Sequence, residues 1–332
     1  MIRAITTTLL LIVATIAVTA QNHTVVFYNI ENAFDTINDP ATIDEDMLPL
    51  ADREWNAQRY AAKLQLIAST LSDITAERPS LIALAEVENS NVLRNLTQTA
   101  PLSATPYDIC HYDSPDERGI DVALLYRPDK FLYEGSRAIR SEADSATRDI
   151  LTVWGTMDGV PTFVVVVHWP SRIGSVTFTE PKRRASAQQV RQIVDSVMAA
   201  SPATRIIIAG DMNDNPRNKS IRNDLQATAR PTTATELYNP FAKVWSARRG
   251  SSVYDGRWNQ YDNIIVSTNT PLRSIDGRKR AAVYRHPSLL TRRGTPRPTY
   301  SGSRYEGGAS DHLPVYIVIG GKHIISRAHL SR

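Results

Sequence analysis

The run Val164-Val165-Val166-Val167, closed by His168, constrains this chain more than any other stretch. From Thr162 to Val167 it shows no polar alternation, so the strand it predicts is buried on both faces. Its sheet must therefore be covered on both sides by other layers. The same construction recurs along the sequence. Thr24 to Ile30 (TVVFYNI) is β-branched and aromatic and carries Asn29 near its end; Leu81 to Ala85 runs into Glu86; Arg205 to Ala209 opens into Gly210-Asp211; Ile264 to Val266 follows Asp262. Five polar residues with metal or acid–base chemistry thus sit at strand ends, where α/β layers place their sites.

Between these strands lie two helical patterns. Trp55 to Ala76 places Tyr60, Leu64, Ile67, Leu71 and Ile74 on one face at three- and four-residue steps, and Pro79 marks its end. A second helix is expected to take Pro181 as its first residue and run to about Ala200, with Val190, Ile193, Val194, Val197 and Met198 inward. Ile120 to Tyr126, Leu151 to Thr156 and Leu313 to Ile319 are further strands. The order is irregular, with several direct strand-to-strand steps. That predicts a mixed-sheet α/β sandwich and not a regular parallel winding.

Residues 1–20 read differently. One basic residue, Arg3, precedes an apolar run from Leu9 to Val18, which closes on Val18-Thr19-Ala20. This is the pattern of a secretory signal peptide. The run is shorter than the roughly 20 residues of a spanning helix, so the expectation is an exported protein, secreted or periplasmic, without a stable membrane anchor. No linker, repeat or low-complexity tract divides residues 21–332, which are expected to form a single catalytic domain and a monomer. Cys110 is the single cysteine, so no internal disulfide exists. The formal charge of +4 becomes +3 once Arg3 is removed, a balance that permits an anionic substrate without demanding one.

The polar residues at the strand ends suit one chemistry. Hard divalent cations such as Mg²⁺ take carboxylate oxygens. Phosphate-ester hydrolysis needs charge neutralisation at phosphorus, a base for water, and donors for the transition state. Glu31, Glu86 and Asp311 can supply metal oxygens. Asp211 or His312 can supply the base, and Asn213 and His168 the donors. Glu88 lies close enough to Glu86 to compete as the ligand, because alternation points both the same way if the strand continues.

Six segments occur in order: Tyr28-Asn29-Ile30-Glu31-Asn32, Ala85-Glu86-Val87-Glu88-Asn89, His168-Trp169, Gly210-Asp211-Met212-Asn213, Tyr261-Asp262 and Ser310-Asp311-His312. Together they resemble the motifs of the endonuclease/exonuclease/phosphatase superfamily, over roughly residues 24 to 319. The stretch Arg118 to Tyr126 (RGIDVALLY) is similar to that of secreted bacterial members. The resemblance implies a deoxyribonuclease I-like fold, a four-layer α-β-β-α sandwich of two packed mixed sheets. It implies Glu86 as principal Mg²⁺ ligand, with Asn29, Glu31 and Asp311 around it and Mn²⁺ as a substitute ion. It implies His312 as general base oriented by Asp262, Asp211 and Asn213 positioning water and the scissile phosphate, and His168 donating to a phosphoryl oxygen or the leaving group. Val167 departs from the pattern, since many relatives have Asn before the histidine.

Arg118, Arg148 and Arg172 lie near these motifs, and guanidinium suits bidentate phosphate contact; Arg172 is the one assigned to substrate. The leading expectation is a nuclease whose partner is nucleic acid. A phosphatase or a phospholipase- or sphingomyelinase-like esterase would use the same site with a different rim. A non-catalytic binding protein would have no need of Glu86, Asp211, Asn213, Asp311 and His312 together.

Overall fold

The computed structural model describes residues 21–320; the expected signal segment 1–20 lies outside them. In chain order the first half runs β1 (Asn22–Ala33), α1 (Ala57–Asp73), β2 (Leu81–Val87), α2 (Ser90–Gln98), β3 (Asp108–His111), β4 (Asp121–Tyr126), β5 (Leu132–Ile139), β6 (Ile150–Met157) and β7 (Val160–His168). The second half runs α3 (Val176–Ala200), β8 (Arg205–Asp211), β9 (Ala227–Thr228), β10 (Leu237–Tyr238), β11 (Ser252–Tyr254), β12 (Arg257–Asn259), β13 (Asp262–Ser267), β14 (Ala281–Val283), β15 (Tyr300–Ser301), β16 (Arg304–Tyr305) and β17 (Val315–Gly320).

Two mixed sheets dominate, ordered β14-β17-β1-β2-β4-β3 and β5-β6-β7-β8-β13-β10-β9. Alternate residues of each strand decide which layer meets which. Val25 and Phe27 of β1 pack with Val164 and Val166 of β7 and Ile207 of β8, which forms the core between the sheets. The intervening Val26, Tyr28 and Ile30 face Leu64, Ile67 and Leu71 of α1. Val165 and Val167 face Val190 and Val194 of α3. The result is the expected α-β-β-α sandwich. It explains the unbroken valine run, because both faces of β7 are covered.

Two helix boundaries differ from the sequence reading. The first helix starts at Ala57, where the Asn56 side chain accepts from the amides of Gln58 and Arg59, and it ends at Asp73. α3 starts at Val176 after a Ser175 cap, so Pro181 lies inside it and not at its first position. A proline there forfeits one backbone hydrogen bond. The loss falls near the exposed start of the helix, and the buried Arg183 side chain braces that turn by donating to Thr179 Oγ1 and Ser171 O.

Gly210 sets how closely β7 and β8 can approach. A Cβ there would lie 2.2 Å from the Val167 carbonyl oxygen. Glycine is therefore required beside the aspartate if His168 and Asp211 are to come level.

Candidate active site

Register assembles half of the site. β7 and β8 are parallel with His168 opposite Asp211, and β8 and β13 are antiparallel with Asp262 opposite Asp211. Three polar side chains from distant parts of the sequence thus form one row across the end of the second sheet. The first sheet supplies the facing half. Asn29 near the end of β1 pairs with Ala85 of β2, immediately before Glu86. Ser310 donates its hydroxyl to the Asn29 carbonyl at 2.7 Å and accepts from the His312 amide at 3.0 Å, which docks the Ser310-Asp311-His312 segment on that strand.

Glu86 sits in a bulge. Ala85 pairs with Val122 and Val87 with Asp121, so Glu86 has no partner in the ladder, and its φ is +63°. The bulge decides the question left by Glu88. Alternation is broken, and Glu88 turns away to accept from the Asp35 amide, where burial pushes its carboxyl up to about 8. Glu31, Asn32 and Asn213 also have positive φ, of 46°, 47° and 49°. Four motif residues therefore occupy the left-handed region, as strained backbone does at functional sites.

The hydrogen bonds converge on Asp211. Asn29 Nδ2 donates to Asp211 Oδ2 and to Glu86 Oε1, each at 3.1 Å, and the amide of Asn213 donates to Asp211 Oδ1 at 2.9 Å. Asn29 Oδ1 accepts from the Glu31 amide, so the Asn29 side chain bridges the Glu86 and Asp211 carboxylates. His168 Nε2 lies 3.7 Å from Asp211 Oδ2 and 3.8 Å from Glu86 Oε1. His312 Nε2 lies 3.8 Å from the same Asp211 oxygen, while its Nδ1 meets Asp262 Oδ2 at 2.7 Å.

Charge follows from this crowding. Burial works against a charged His312, but Asp262, Asp311 and Asp211 outweigh it and hold the imidazole well above its ordinary value. His168 is held well below, by burial first and then by Arg148 and Arg118, so it stands neutral. Burial pushes the Asp211 carboxyl up to about 7, and burial with Asp311 does the same to Glu31. Carboxylates raised by burial and by one another form a donor set whose chemistry suits a divalent cation. Asp211, Asp262 and His312 also offer ligand atoms within 4.8 Å of one another.

The residues line a cleft of about 560 Å³ that includes Glu86, His168, Asp211, Asn213, Asp311 and His312. Glu31 does not line it. It borders an adjoining recess of about 140 Å³, with its Oε2 taking the amides of Thr299 and Asp311 at 2.7 and 3.1 Å. Asn213 Nδ2 donates to the Trp169 carbonyl at 3.0 Å.

The arginines divide by how far the fold has used them. Arg172 donates to the Asn213 carbonyl, Asp214 and Asn218, and stacks over Tyr261 at 5.2 Å, so it braces the turn after Asp211 and has few donors left for substrate. Arg148 is buried between Asp116 and the Trp169 carbonyl. Arg118 lines the cleft half-exposed, with one loose contact of 3.4 Å to Asp116. Sequence reasoning passed over Lys63, which is buried in α1 with its Nζ donating to Thr299 Oγ1 and the Ala309 carbonyl. The available signal was a lysine three residues after Tyr60 on the helix's inward face.

Residues 24–321 match the Endonuclease/Exonuclease/phosphatase family, and the chain belongs to it. Among solved structures it is similar to an endonuclease/exonuclease/phosphatase family protein from Bacteroides thetaiotaomicron, at 18% identity and TM-score 0.59 over 92% of this chain and 96% of that one. It is similar to the Bacteroides thetaiotaomicron mannosyl-6-phosphatase Bt3783, at 18% identity and TM-score 0.57 over 90% and 100%. It is likewise similar to D. rerio TDP2 complexed with single-strand DNA product, at 16% identity and TM-score 0.55 over 90% and 98%. These likenesses carry the fold. No curated protein matches the chain.

Proposed function

We propose that this protein is a divalent-metal-dependent phosphoesterase that hydrolyses phosphodiester bonds, acting on nucleic acid after export. The observation that carries the reading is the meeting of two half-sites in one cleft: the His168–Asp211–Asp262 row on one sheet, and Glu86 with Asn29 and the docked His312 on the other.

Mg²⁺ bound by the carboxylates of Glu86, Asp311 and Glu31 would neutralise phosphoryl oxygens and polarise the attacking water. The chain's own groups do the rest. His312 Nε2 takes the water's proton while Nδ1 stays on Asp262, which fixes the tautomer and compensates the imidazolium that forms. Asp211 orients the water between the two imidazoles. Asn213 and neutral His168 face the phosphate, and a neutral imidazole with a free Nε2–H donates to a phosphoryl or leaving oxygen.

A second reading, a phosphatase or lipid-headgroup esterase, has its own support. Two of the three arginines that line the cleft are paired, Arg148 with Asp116 and Arg172 with Asp214, and Arg118 alone is half-exposed. Ile173 and Tyr254 are exposed and line the cleft. A long polyanion favours unpaired basic charge and stacking platforms, whereas a compact or apolar phosphate ester does not need them. The mature chain with Mg²⁺ and with chelator, offered plasmid DNA, RNA, sphingomyelin and phosphorylated sugars in parallel, decides between the readings. Nicking of plasmid alone supports the nuclease. Phosphate release from small esters with intact DNA replaces it with the second reading. Inertness on all four substrates argues against an esterase.

A further inference from the structure

We propose that Lys63 is a built-in counter-cation for the metal-side carboxylates Glu31, Glu86 and Asp311, and that it sets the position of Glu31 and of the Asp311 backbone for the ion. The inference rests on the metal-dependent reading above.

Lys63 is 2% exposed, and its two hydrogen-bond partners, Thr299 Oγ1 and the Ala309 carbonyl at 2.8 Å, are both neutral. Burying an ammonium is costly unless nearby negative charge compensates it. That charge comes from Glu31, Glu86 and Asp311, each of which acts on Lys63 through space. The hydrogen bonds also have a consequence for position. They hold both ends of the segment from Thr299 to Ala309. The amides of Thr299, at one end, and of Asp311, two residues past the other, donate to the same Glu31 oxygen. One buried cation therefore sets the place of Glu31 and of the Asp311 backbone together.

The test uses the whole mature chain and Mn²⁺ as the probe. Titration of the wild type should show bound Mn²⁺ that Glu86→Gln removes; no loss in Glu86→Gln would remove the premise, the metal site itself. Lys63→Met should lower Tm in chelator by about 5 °C or more, and Mg²⁺ should restore more than half of that loss, because the ion supplies the missing charge. Lys63→Arg should give the wild-type Mg²⁺ response. A loss in Lys63→Met that Mg²⁺ does not repair, or the same behaviour in Lys63→Arg, would make Lys63 a structural filler and refute the assignment.

Discussion

Asp211 Oδ2 lies 3.8 Å from His312 Nε2, although Asp211 ends a strand of one sheet and His312 leads into a strand of the other. Asp211 ends β8, and His312 is held just before β17 by Ser310 on the carbonyl of Asn29. The acid–base unit therefore exists only when the two sheets are packed. Asp262 completes it from β13, 0% exposed and 2.7 Å from the other ring nitrogen.

His312→Ala should lower kcat by about a hundredfold or more, the low end of general acid–base contributions, with fold and metal affinity retained. Asp262→Asn should reproduce much of that loss, because an amide can neither fix the donor tautomer nor compensate the imidazolium. Steady-state kinetics beside metal titration and circular dichroism check both variants. Near-normal kcat in His312→Ala with loss in His168→Ala would exchange the two imidazole roles.

The activity–pH profile follows from the same contacts. Asp262, Asp311 and Asp211 hold His312 well above 6.5 against the opposing effect of burial. A base must be deprotonated to act, so kcat should rise with pH along a limb whose midpoint lies above 6.5. Asp262→Asn removes one of the charges that hold the imidazolium, so the limb should move to lower pH in that variant even as its plateau falls. A limb that stayed put in Asp262→Asn would assign it to another group.

Gly210→Ala tests the register of the row. The added methyl would meet the Val167 carbonyl oxygen at 2.2 Å, and backbone cannot step aside as a flexible side chain can. Overpacking of this kind costs about 1–3 kcal/mol, and urea denaturation should show a loss in that range. Because the displaced strands carry His168 and Asp211 level with one another, kcat should fall more than Tm alone explains. A variant of full activity and stability would show that β7 and β8 tolerate a wider spacing.

Much of this is legible in the sequence. Strand ends marked the site because unalternating apolar runs specify buried strands, and a polar residue after such a run lies at the sheet's edge. Three things were not legible. The Glu86 bulge was hidden because Ala85-Glu86-Val87-Glu88 reads as ordinary alternation; only the pairing of Ala85 and Val87 with adjacent residues of β4 exposes the extra residue. The commitment of Arg172 depends on Asp214 and Asn218 folding back over it, a tertiary contact with no local signature. Lys63 lies 236 residues from Thr299, so its partner could not be named from helix periodicity. Pro181 misled because proline is favoured at a first turn, yet Ser175 supplied a cap six residues earlier.

Export gives a further check. Residues 1–20 carry the signal pattern, so mature protein from the native envelope or medium should begin at about Gln21 on N-terminal sequencing. An intact Met1 terminus would remove the export step from the proposal.

Metal and pH should be linked in stability as well as in activity. Glu31 and Asp211 both have folded-state values of about 7, above their ordinary values of 4.5 and 3.8. Between those limits the folded chain binds more protons than the unfolded chain. Stability in chelator should therefore fall as pH rises from about 4 through 7, since ionising each carboxyl in place costs free energy. Glu88, raised to about 8, adds to the same fall but lies outside the cleft. A divalent cation favours the ionised form of the carboxylates it touches, so the Tm gain from Mg²⁺ should be small at pH 5 and larger at pH 7.5. Glu88 contributes to the part that Mg²⁺ cannot restore, and Glu88→Gln should reduce it without changing the Mg²⁺ response. Glu86→Gln should do the reverse, weakening the Mg²⁺ response at every pH through the loss of an anionic oxygen ligand. Thermal scans of the three proteins at both pH values, with and without Mg²⁺, check this. Equal Mg²⁺ gains at pH 5 and 7.5 would show that the raised carboxylates are not the ones the ion meets.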